Sequence, residues 1–113
     1  MTKKHVICRL HDIPDNGAKG FVIGNGPKTL EMFVIRKDNQ VYAYVNRCPH
    51  TGTNLDWTPD QFLDNSGDLI QCSTHGAKFR IKNGYCVSGP CSGDHLQPIN
   101  VDICDDQLQL ILE

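Results

Sequence analysis

The sequence predicts an all-β protein built from antiparallel strands. Its apolar runs are short, and ten glycines and six prolines punctuate the chain, as is usual where short strands alternate with turns. Several segments alternate apolar and polar residues with the two-residue period of a half-buried strand. No segment keeps a helical period over three turns, so we expect no long helix.

In the N-terminal half, residues 21–24 are predicted to form a strand, and residues 32–36 and 41–45 to form a hairpin. Asp38-Asn39 lies between the two hairpin strands, and both residue types tolerate the positive φ angles of a tight turn. In the C-terminal half, a short strand over residues 68–71 leads into Cys72.

One further hairpin and two alternating segments are predicted near the C-terminus. Residues 78–81 and 85–87 flank Asn83-Gly84, which is the strongest short-range turn signal in the chain. Residues 99–103 and 108–112 both show the two-residue period and flank Asp105-Asp106.

Length and charge narrow the class of protein. A chain of 113 residues is expected to form one domain, residues 1–113. The formal charge of −2 argues against nucleic acid or an anionic membrane as the main partner. Because no apolar run is long enough for a signal peptide or a membrane span, we expect a cytoplasmic protein. Its six cysteines are then expected to be reduced or bound to metal.

Two short motifs carry the functional signal, Cys48-Pro49-His50 and Cys72-Ser73-Thr74-His75. Each pairs a thiolate with an imidazole in a loop at the end of a predicted strand. Thiolates suit the iron of iron–sulfur clusters, and imidazole suits iron or zinc. Cys-x-His followed by Cys-x-x-His is the ligand pattern of a Rieske [2Fe–2S] centre, in which two histidines replace two cysteines on one iron. The pattern therefore predicts Cys48, His50, Cys72 and His75 as metal ligands.

Two glycines follow the histidines closely, Gly52 and Gly76. A residue without Cβ allows backbone N–H groups to approach the cluster sulfides, and such hydrogen bonds tune the reduction potential. We therefore add both glycines to the predicted cofactor-binding residues.

A structural zinc site could use the same four side chains. Zinc sites more often use Cys-x-x-Cys knuckles that converge on one ion, whereas Cys48 and His50 are neighbours two apart that point to different sides of an extended loop. This divergence favours two metal ions over one. A coincidence without any metal is the third possibility, and the placement of both pairs at strand ends disfavours it.

Most of the chain resembles a soluble Rieske-type ferredoxin. Residues 41–52 with Leu55-Asp56 resemble the first ligand loop and its leading strand, and residues 72–79 resemble the second ligand loop. Ser88-Gly89-Pro90 resembles the proline loop of the family, and residues 10–14 resemble its opening strand and turn.

This resemblance implies a Rieske-like antiparallel β-sandwich with a small cluster-binding lobe over about residues 47–92. The remaining N- and C-terminal strands would form the base. It also implies that Cys48 and Cys72 bind an inner iron and that His50 and His75 bind an outer iron. Gly89 and Pro90 would cover the cluster from a third side.

Departures from the high-potential members of the family are informative. Those proteins carry an additional disulfide between the ligand loops, whereas the corresponding residues here are Thr53 and Thr74. They also place hydroxyl donors after the second His-Gly, where this chain has Ala77 and Phe79. Each missing donor leaves the added electron less stabilised. We therefore expect the reduction potential of this protein to lie toward the low end of the range for Rieske centres.

The resemblance implies a one-electron carrier that is not itself an enzyme. The leading hypothesis is a ferredoxin that takes electrons from a reductase and passes them to an oxygenase. Two alternatives remain: a small subunit of a larger oxidoreductase of the nitrite-reductase kind, and a redox or iron sensor.

The other cysteines give weaker signals. Cys8 and Cys104 lie in predicted strands, and we expect both to be small buried thiols. Cys86 and Cys91 flank Gly89-Pro90, so a disulfide or redox-sensing pair beside the cluster is possible, although a reducing compartment disfavours it.

Overall fold

The computed structural model describes residues 3–24, 29–49, 54–56, 60–72, 76–89 and 93–112. Within these ranges the protein has nine strands, one 3-10 turn at Leu10–Asp12 and no α-helix, which confirms the all-β prediction. The strands are β1 (Lys3–Arg9), β2 (Gly17–Ile23), β3 (Leu30–Lys37), β4 (Gln40–Val45), β5 (Leu69–Gln71), β6 (Lys78–Arg80), β7 (Cys86–Ser88), β8 (Val101–Cys104) and β9 (Gln107–Leu112).

The strands form three antiparallel sheets of three strands each, with the orders β1-β9-β8, β2-β3-β4 and β5-β6-β7. The N-terminal strand therefore pairs with the C-terminal strand, and the two later sheets are built from sequential strands. The sheet that contains β5 leads directly into the second predicted ligand loop.

Strand β3 lies between two buried cores, because both of its faces are covered. Met32 and Val34 face a core that also contains Leu108 of β9. Phe33 and Ile35 face a second core. Since alternate residues of a strand point to opposite faces, this one strand connects the base of the molecule to the part that holds the predicted ligands.

The predicted hairpin turn at Asp38-Asn39 is confirmed, and Asp105-Asp106 forms a second turn of the same kind. Asp38 and Asn39 have φ angles of 53° and 64°, and Asp105 and Asp106 have φ angles of 52° and 63°. Positive φ at both central residues is the geometry that matches the twist of a two-residue hairpin. Short polar side chains adopt it more readily than other non-glycine residues.

The hairpin near Asn83-Gly84 is longer than predicted. Arg80 N–H donates to Tyr85 O at 2.9 Å and Gly84 N–H donates to Arg80 O at 2.8 Å, so the connection spans residues 81–84. Gly84 has a φ of +71°, and a Cβ there would lie 2.9 Å from Cε1 of Tyr44. Packing against Tyr44 therefore selects the longer turn, which local sequence could not indicate.

Strand β2 is also longer than the predicted residues 21–24, because it begins at Gly17. Its first half contains Ala18, Lys19 and Gly20, which carry no clear alternation. Pairing with β3 along the whole length of β2 holds this segment extended, so the strand is imposed by its neighbour.

The prediction that Cys8 and Cys104 are both buried is wrong. Cys104 is exposed and Cys8 is only partly buried. Cys104 is the last residue of edge strand β8, opposite Gln107, and it lies beyond the rim of the core. At Cys8 the partial burial, reinforced by the nearby Asp12 carboxylate, raises the pKa of the thiol above its ordinary value.

Candidate metal centre

The first ligand motif begins immediately after β4. Strand β4 ends at Val45, and Arg47 N–H donates to Val45 O at 2.8 Å in a tight bend. This bend turns the chain so that Cys48 is fully buried, whereas Pro49 is exposed. The prediction that the first cysteine follows a strand end is therefore confirmed.

Asn46 connects this bend to the far side of the loop. Its Oδ1 accepts a hydrogen bond from Leu55 N–H at 2.9 Å, and its Nδ2 donates to Asp56 Oδ1 at 3.0 Å. Its backbone N–H donates to Glu31 O at 2.9 Å. With its amide oriented to donate, Asn54 bonds to Asn46 O at 3.0 Å and to Glu31 Oε2 at 2.9 Å. Residues before and after the first loop are thus joined at its base.

The second ligand motif follows β5 directly. Cys72 N–H donates to Ala77 O at 2.8 Å, and Gly76 N–H donates to Cys72 O at 2.9 Å. These bonds close the loop across its neck, where β5 and β6 pair through Ile70 and Phe79. Gly76 has a φ of +69°, and a Cβ there would meet nothing within 4 Å, so this position needs glycine for backbone conformation.

The third predicted loop packs against the second. Gly89 follows β7 with a φ of +102°, and a Cβ at this position would lie 2.8 Å from Cα of Ala77. Cys86 is buried, and its Sγ donates to Ser88 O at 3.3 Å. The backbone after β7 therefore approaches the second loop as closely as a residue without a side chain permits.

The structure brings the two predicted cysteine ligands into one buried group of side chains. Cys48 and Cys72 are both fully inaccessible and belong to the core that includes Phe79 and Cys86. Gly76 and Gly89 are described above, and the remaining predicted site residues, His50, Gly52, His75 and Pro90, lie outside the described residues, as do Thr53, Thr74 and Cys91. For that reason no group of three potential metal ligands is found among the described residues.

The two positions without a hydroxyl after the second ligand motif lie in the buried core. Ala77 and Phe79 are both completely buried, directly after the neck of the second loop. Neither side chain can donate a hydrogen bond. The side chains at these positions therefore contribute only apolar surface.

The segment before β5 is anchored to the base sheets. Phe62 is fully buried and stacks on Phe33, with ring centroids 4.3 Å apart and planes at 8°. Gly20 N–H donates to Asp60 Oδ1 at 2.8 Å. A stacked aromatic pair contributes about 1 kcal/mol beyond its buried area, so this segment is held in place against β2 and β3.

Asp64 organises the turn that leads into β5. Its Oδ1 accepts hydrogen bonds from Ser66 Oγ at 2.6 Å and from Gly67 N–H at 3.1 Å, and Lys78 lies 3.3 Å from its other oxygen. The bond from Ser66, aided by Lys78, holds the pKa of the Asp64 carboxyl below its usual range. This turn sets the start of the strand that presents Cys72.

Sequence reasoning missed Asn46, Phe62 and Asp64 as supports of the site. Asn46 stands two residues before Cys48, and this closeness to the ligand motif is the signal that could have identified it. Nothing in the local pattern indicates that Phe62 stacks on a residue of β3. Asp64 lies in a run of turn-forming residues, which predicts a turn but not its bond to Lys78.

The donor chemistry fits an iron–sulfur cluster. Two cysteine side chains come from two separate strand ends and are buried in a common core. As thiolates they would suit the iron of such a cluster, and the cluster would neutralise negative charges that are costly to bury alone. The described residues are thus compatible with the cofactor that the motifs predict.

Comparison with known proteins defines the class. A model of the Rieske [2Fe–2S] domain matches residues 3–109. The chain therefore belongs to the Rieske [2Fe–2S] domain family, and its cofactor is one [2Fe–2S] cluster. A Rieske centre is held by two cysteines and two histidines, in agreement with the two motifs.

Solved structures agree on the fold. The ferredoxin of Sphingomonas yanoikuyae B1 is 24% identical, with a TM-score of 0.75 and coverage of 98% of this chain and 100% of that chain. A chain in a complex of reduced oxygenase and oxidized ferredoxin of carbazole 1,9a-dioxygenase is 24% identical, with a TM-score of 0.75 and coverage of 95% and 91%. A chain provisionally named as a small subunit of NADPH nitrite reductase is 18% identical, with a TM-score of 0.71 and coverage of 98% and 99%.

Among the described residues, no helix has the length and apolar character needed to cross a membrane.

Proposed function

We propose that this protein is a one-electron carrier whose [2Fe–2S] cluster is held by Cys48, His50, Cys72 and His75. The match of the Rieske [2Fe–2S] domain model to residues 3–109 carries this proposal. The burial of Cys48 and Cys72 at neighbouring strand ends supports their assignment to the inner iron. The two histidines take the outer iron, and Gly52, Gly76, Gly89 and Pro90 line the cluster.

The cluster, when bound, accepts and releases one electron. The protein itself holds the ligands in a fixed arrangement and excludes water from the cysteine ligands of the inner iron. Full burial of Cys48 and Cys72 serves that purpose. We assign this role to a cluster-binding lobe over about residues 47–92 of a single domain.

The leading assignment is a ferredoxin that receives an electron from a flavin reductase and delivers it to an oxygenase. It is supported by nearly complete mutual coverage with a solved ferredoxin and with a chain from an oxygenase–ferredoxin complex. In this assignment the protein is not an enzyme itself, and its partners are other proteins. We place it in the cytoplasm, where a reductase can reach it.

The reduction potential is expected to be low for a Rieske centre. The buried Ala77 and Phe79 side chains cannot donate hydrogen bonds to the cluster region, and each such donor would stabilise the added electron. Protein-film voltammetry should give a value toward the lower end of the range of about −150 to +300 mV. A value near the upper end would contradict this expectation.

A second candidate is a small redox subunit of a larger oxidoreductase. It is favoured by the almost complete mutual coverage with the chain provisionally named as a nitrite reductase small subunit. The two assignments differ in association. A subunit is expected to copurify with a larger chain, whereas a ferredoxin exchanges between partners.

Spectroscopy of the purified protein tests the cluster assignment. We expect an iron-to-sulfide ratio of about one and, after reduction, the electron paramagnetic resonance signal of a [2Fe–2S] cluster with mixed nitrogen and sulfur ligands. Cys48→Ser and Cys72→Ser should lose the signal, and Cys104→Ser, at an exposed thiol, should keep it. A colourless protein that binds zinc alone would refute the proposal.

Partner assays separate the two candidates. Stopped-flow mixing with the reductase and the oxygenase encoded by neighbouring genes should give rapid reduction and then rapid reoxidation of the ferredoxin. Stable copurification with a single large oxidoreductase chain would instead support the subunit assignment. Failure to exchange electrons with any such partner would favour a sensor.

A further inference from the structure

Asn46, two residues before Cys48, is buried and bonded through both its side chain and its backbone. It is the buried polar residue of the described core, with 8% of its surface exposed. Its side chain bonds to Leu55 N–H and Asp56 Oδ1, and its backbone bonds to Glu31. A buried amide in this position is costly unless its partners are in place, so these contacts define one arrangement of the loop base.

The bonds fix the orientation of the amide group. Its oxygen faces a backbone N–H donor and its nitrogen faces a carboxylate acceptor. Only a group that both donates and accepts satisfies the two partners at once. Asp56 is in turn positioned by Asp60 N–H, which donates to Asp56 Oδ2 at 3.3 Å.

We propose that Asn46 is a positioning residue for the cluster, and that it acts by closing the base of the first ligand loop. The residues joined by its side chain, 46 and 55, bracket the segment that contains Cys48. Closing this segment at its base reduces the conformations open to Cys48 before any metal binds. The inference rests on the proposed ligation by Cys48.

A purely structural role makes a different prediction. If Asn46 only stabilises the fold, its loss should lower the free energy of unfolding but leave the electronic properties of the loaded cluster unchanged. If it positions the loop, its loss should also change cluster retention, the electron paramagnetic resonance g values and the reduction potential. Groups that orient metal ligands typically alter metal affinity or activity by about 10–100-fold when they are removed.

The experiment uses four forms of the full chain besides the wild type. Asn46→Ala removes both bonds. Asn46→Asp keeps the shape but places a carboxylate against Asp56. The double variant Asn46→Asp/Asp56→Asn exchanges the two groups and restores one donor and one acceptor. Tyr44→Phe is the matched control, because it removes a buried hydrogen bond from Tyr44, two residues before Asn46, to Ile81 O but leaves the bonds of Asn46 in place.

Release of iron to a chelator, the g values and the potential are measured on loaded protein, and hydrogen exchange at the Leu55 amide is measured on apoprotein. We expect at least about tenfold faster iron release and shifted g values for Asn46→Ala and Asn46→Asp. The exchanged pair should return toward the wild type. Tyr44→Phe should be destabilised with unchanged g values. In apoprotein, Leu55 should exchange faster in Asn46→Ala, which lacks the acceptor oxygen.

The outcomes separate this inference from the proposed function. A wild-type protein without a Rieske signal refutes the proposed function. A wild-type protein with that signal and Asn46 variants that match it in iron release and g values refutes the positioning role. If Asn46→Ala does not load, failure of the exchanged pair to improve on Asn46→Asp also overturns the proposal.

Discussion

Gly89 shows how one absent side chain allows two loops to meet. Its φ of +102° is unfavourable for other residues, and a Cβ would lie 2.8 Å from Cα of Ala77. Gly93 has a similar φ of +97°, but a Cβ there would meet nothing within 4 Å. Both glycines therefore adopt a φ angle that disfavours other residues, but only at Gly89 would a Cβ also collide with a neighbouring backbone.

This difference gives a paired prediction. Gly93→Ala should lower the free energy of unfolding by about 1–2 kcal/mol, the cost of the left-handed conformation. Gly89→Ala should lower it further and should accelerate iron release, because the added methyl group must displace the backbone of Ala77. Urea denaturation and chelator kinetics on both variants provide the measurement. Equal effects of the two substitutions would show that the contact with Ala77 is unimportant.

Tyr44 gives a prediction at alkaline pH. Burial, with a smaller effect of Tyr42, raises the pKa of Tyr44 to about 12, and its hydroxyl donates to Ile81 O. In the unfolded chain the phenol has a pKa near 10, so it ionises at a lower pH than in the folded protein. The stabilisation by Tyr44 is therefore complete below pH 10 and is lost as the pH rises toward 12.

We expect Tyr44→Phe to lower the free energy of unfolding by about 1 kcal/mol at neutral pH, as for a typical buried hydrogen bond. The gap between the wild type and the variant should shrink above pH 10, since only the wild type loses the contribution of this hydroxyl. Urea denaturation at pH 7 to 11 measures the gap. A constant gap over that interval would contradict the raised pKa.

At the residue scale, the sequence indicated candidate ligands more readily than the residues that support them. The motifs that contain Cys48 and Cys72 could be found because the spacing of soft donors is local, and the structure buries both side chains in one core. The bond from Asn46 to Leu55 crosses a loop, and no periodicity reports it. The exposure of Cys104 was mispredicted because alternation indicates which face a residue occupies, but not where the core ends along an edge strand.

At the scale of elements, turn chemistry explains most of what was predictable. Asp38-Asn39 and Asp105-Asp106 adopt the positive φ values that their residue types tolerate. The turn after β6 differed because Gly84 packs against Tyr44, and β2 began early because it pairs with β3. Contacts distant in sequence therefore override local signals at these two places.

The turn that leads into β5 depends on Asp64. Hydrogen bonds from Ser66, with Lys78 nearby, lower the pKa of the carboxyl. A lowered pKa in the folded state stabilises the protein above the unfolded pKa, and this contribution is lost as the pH falls through the folded value. The turn should therefore be weaker in acid.

Asp64→Asn should lower the free energy of unfolding at pH 7 by about 1 kcal/mol, because it weakens charge-assisted bonds. The difference from the wild type should begin to fade below about pH 4, the ordinary carboxyl pKa of the unfolded chain, and should be lost as the pH falls through the lower pKa of the folded protein. Thermal or urea denaturation at pH 7 and pH 3 supplies the comparison, with Asp102→Asn, in a half-exposed pair with Lys4, as the control. If the difference at pH 3 were as large as at pH 7, the charge of Asp64 would not be the source of the stabilisation.

At the scale of the whole molecule, only one of the two buried cores contains the predicted cysteine ligands. The core that contains Met32, Val34 and Leu108 includes neither predicted cysteine ligand. The other core includes both, together with residues of the short sheet β5-β6-β7. Strand β3 contributes to each core, so the base can support the ligand-bearing part without depending on it.

This division predicts the effect of cluster removal. In apoprotein prepared by chelation, backbone amides of β5, β6 and β7 should lose protection from hydrogen exchange, because these three-residue strands have few bonds of their own and share a core with the two cysteines that are proposed as ligands. Amides of β3 and β9 should remain protected, since the core at Leu108 is unaffected. Exchange measured on loaded protein and apoprotein provides the comparison, and the same experiment on Cys104→Ser controls for oxidation of an exposed thiol. Simultaneous loss of protection in all three sheets would instead mean that the two cores unfold as one cooperative unit, in which the cluster is required for the base as well.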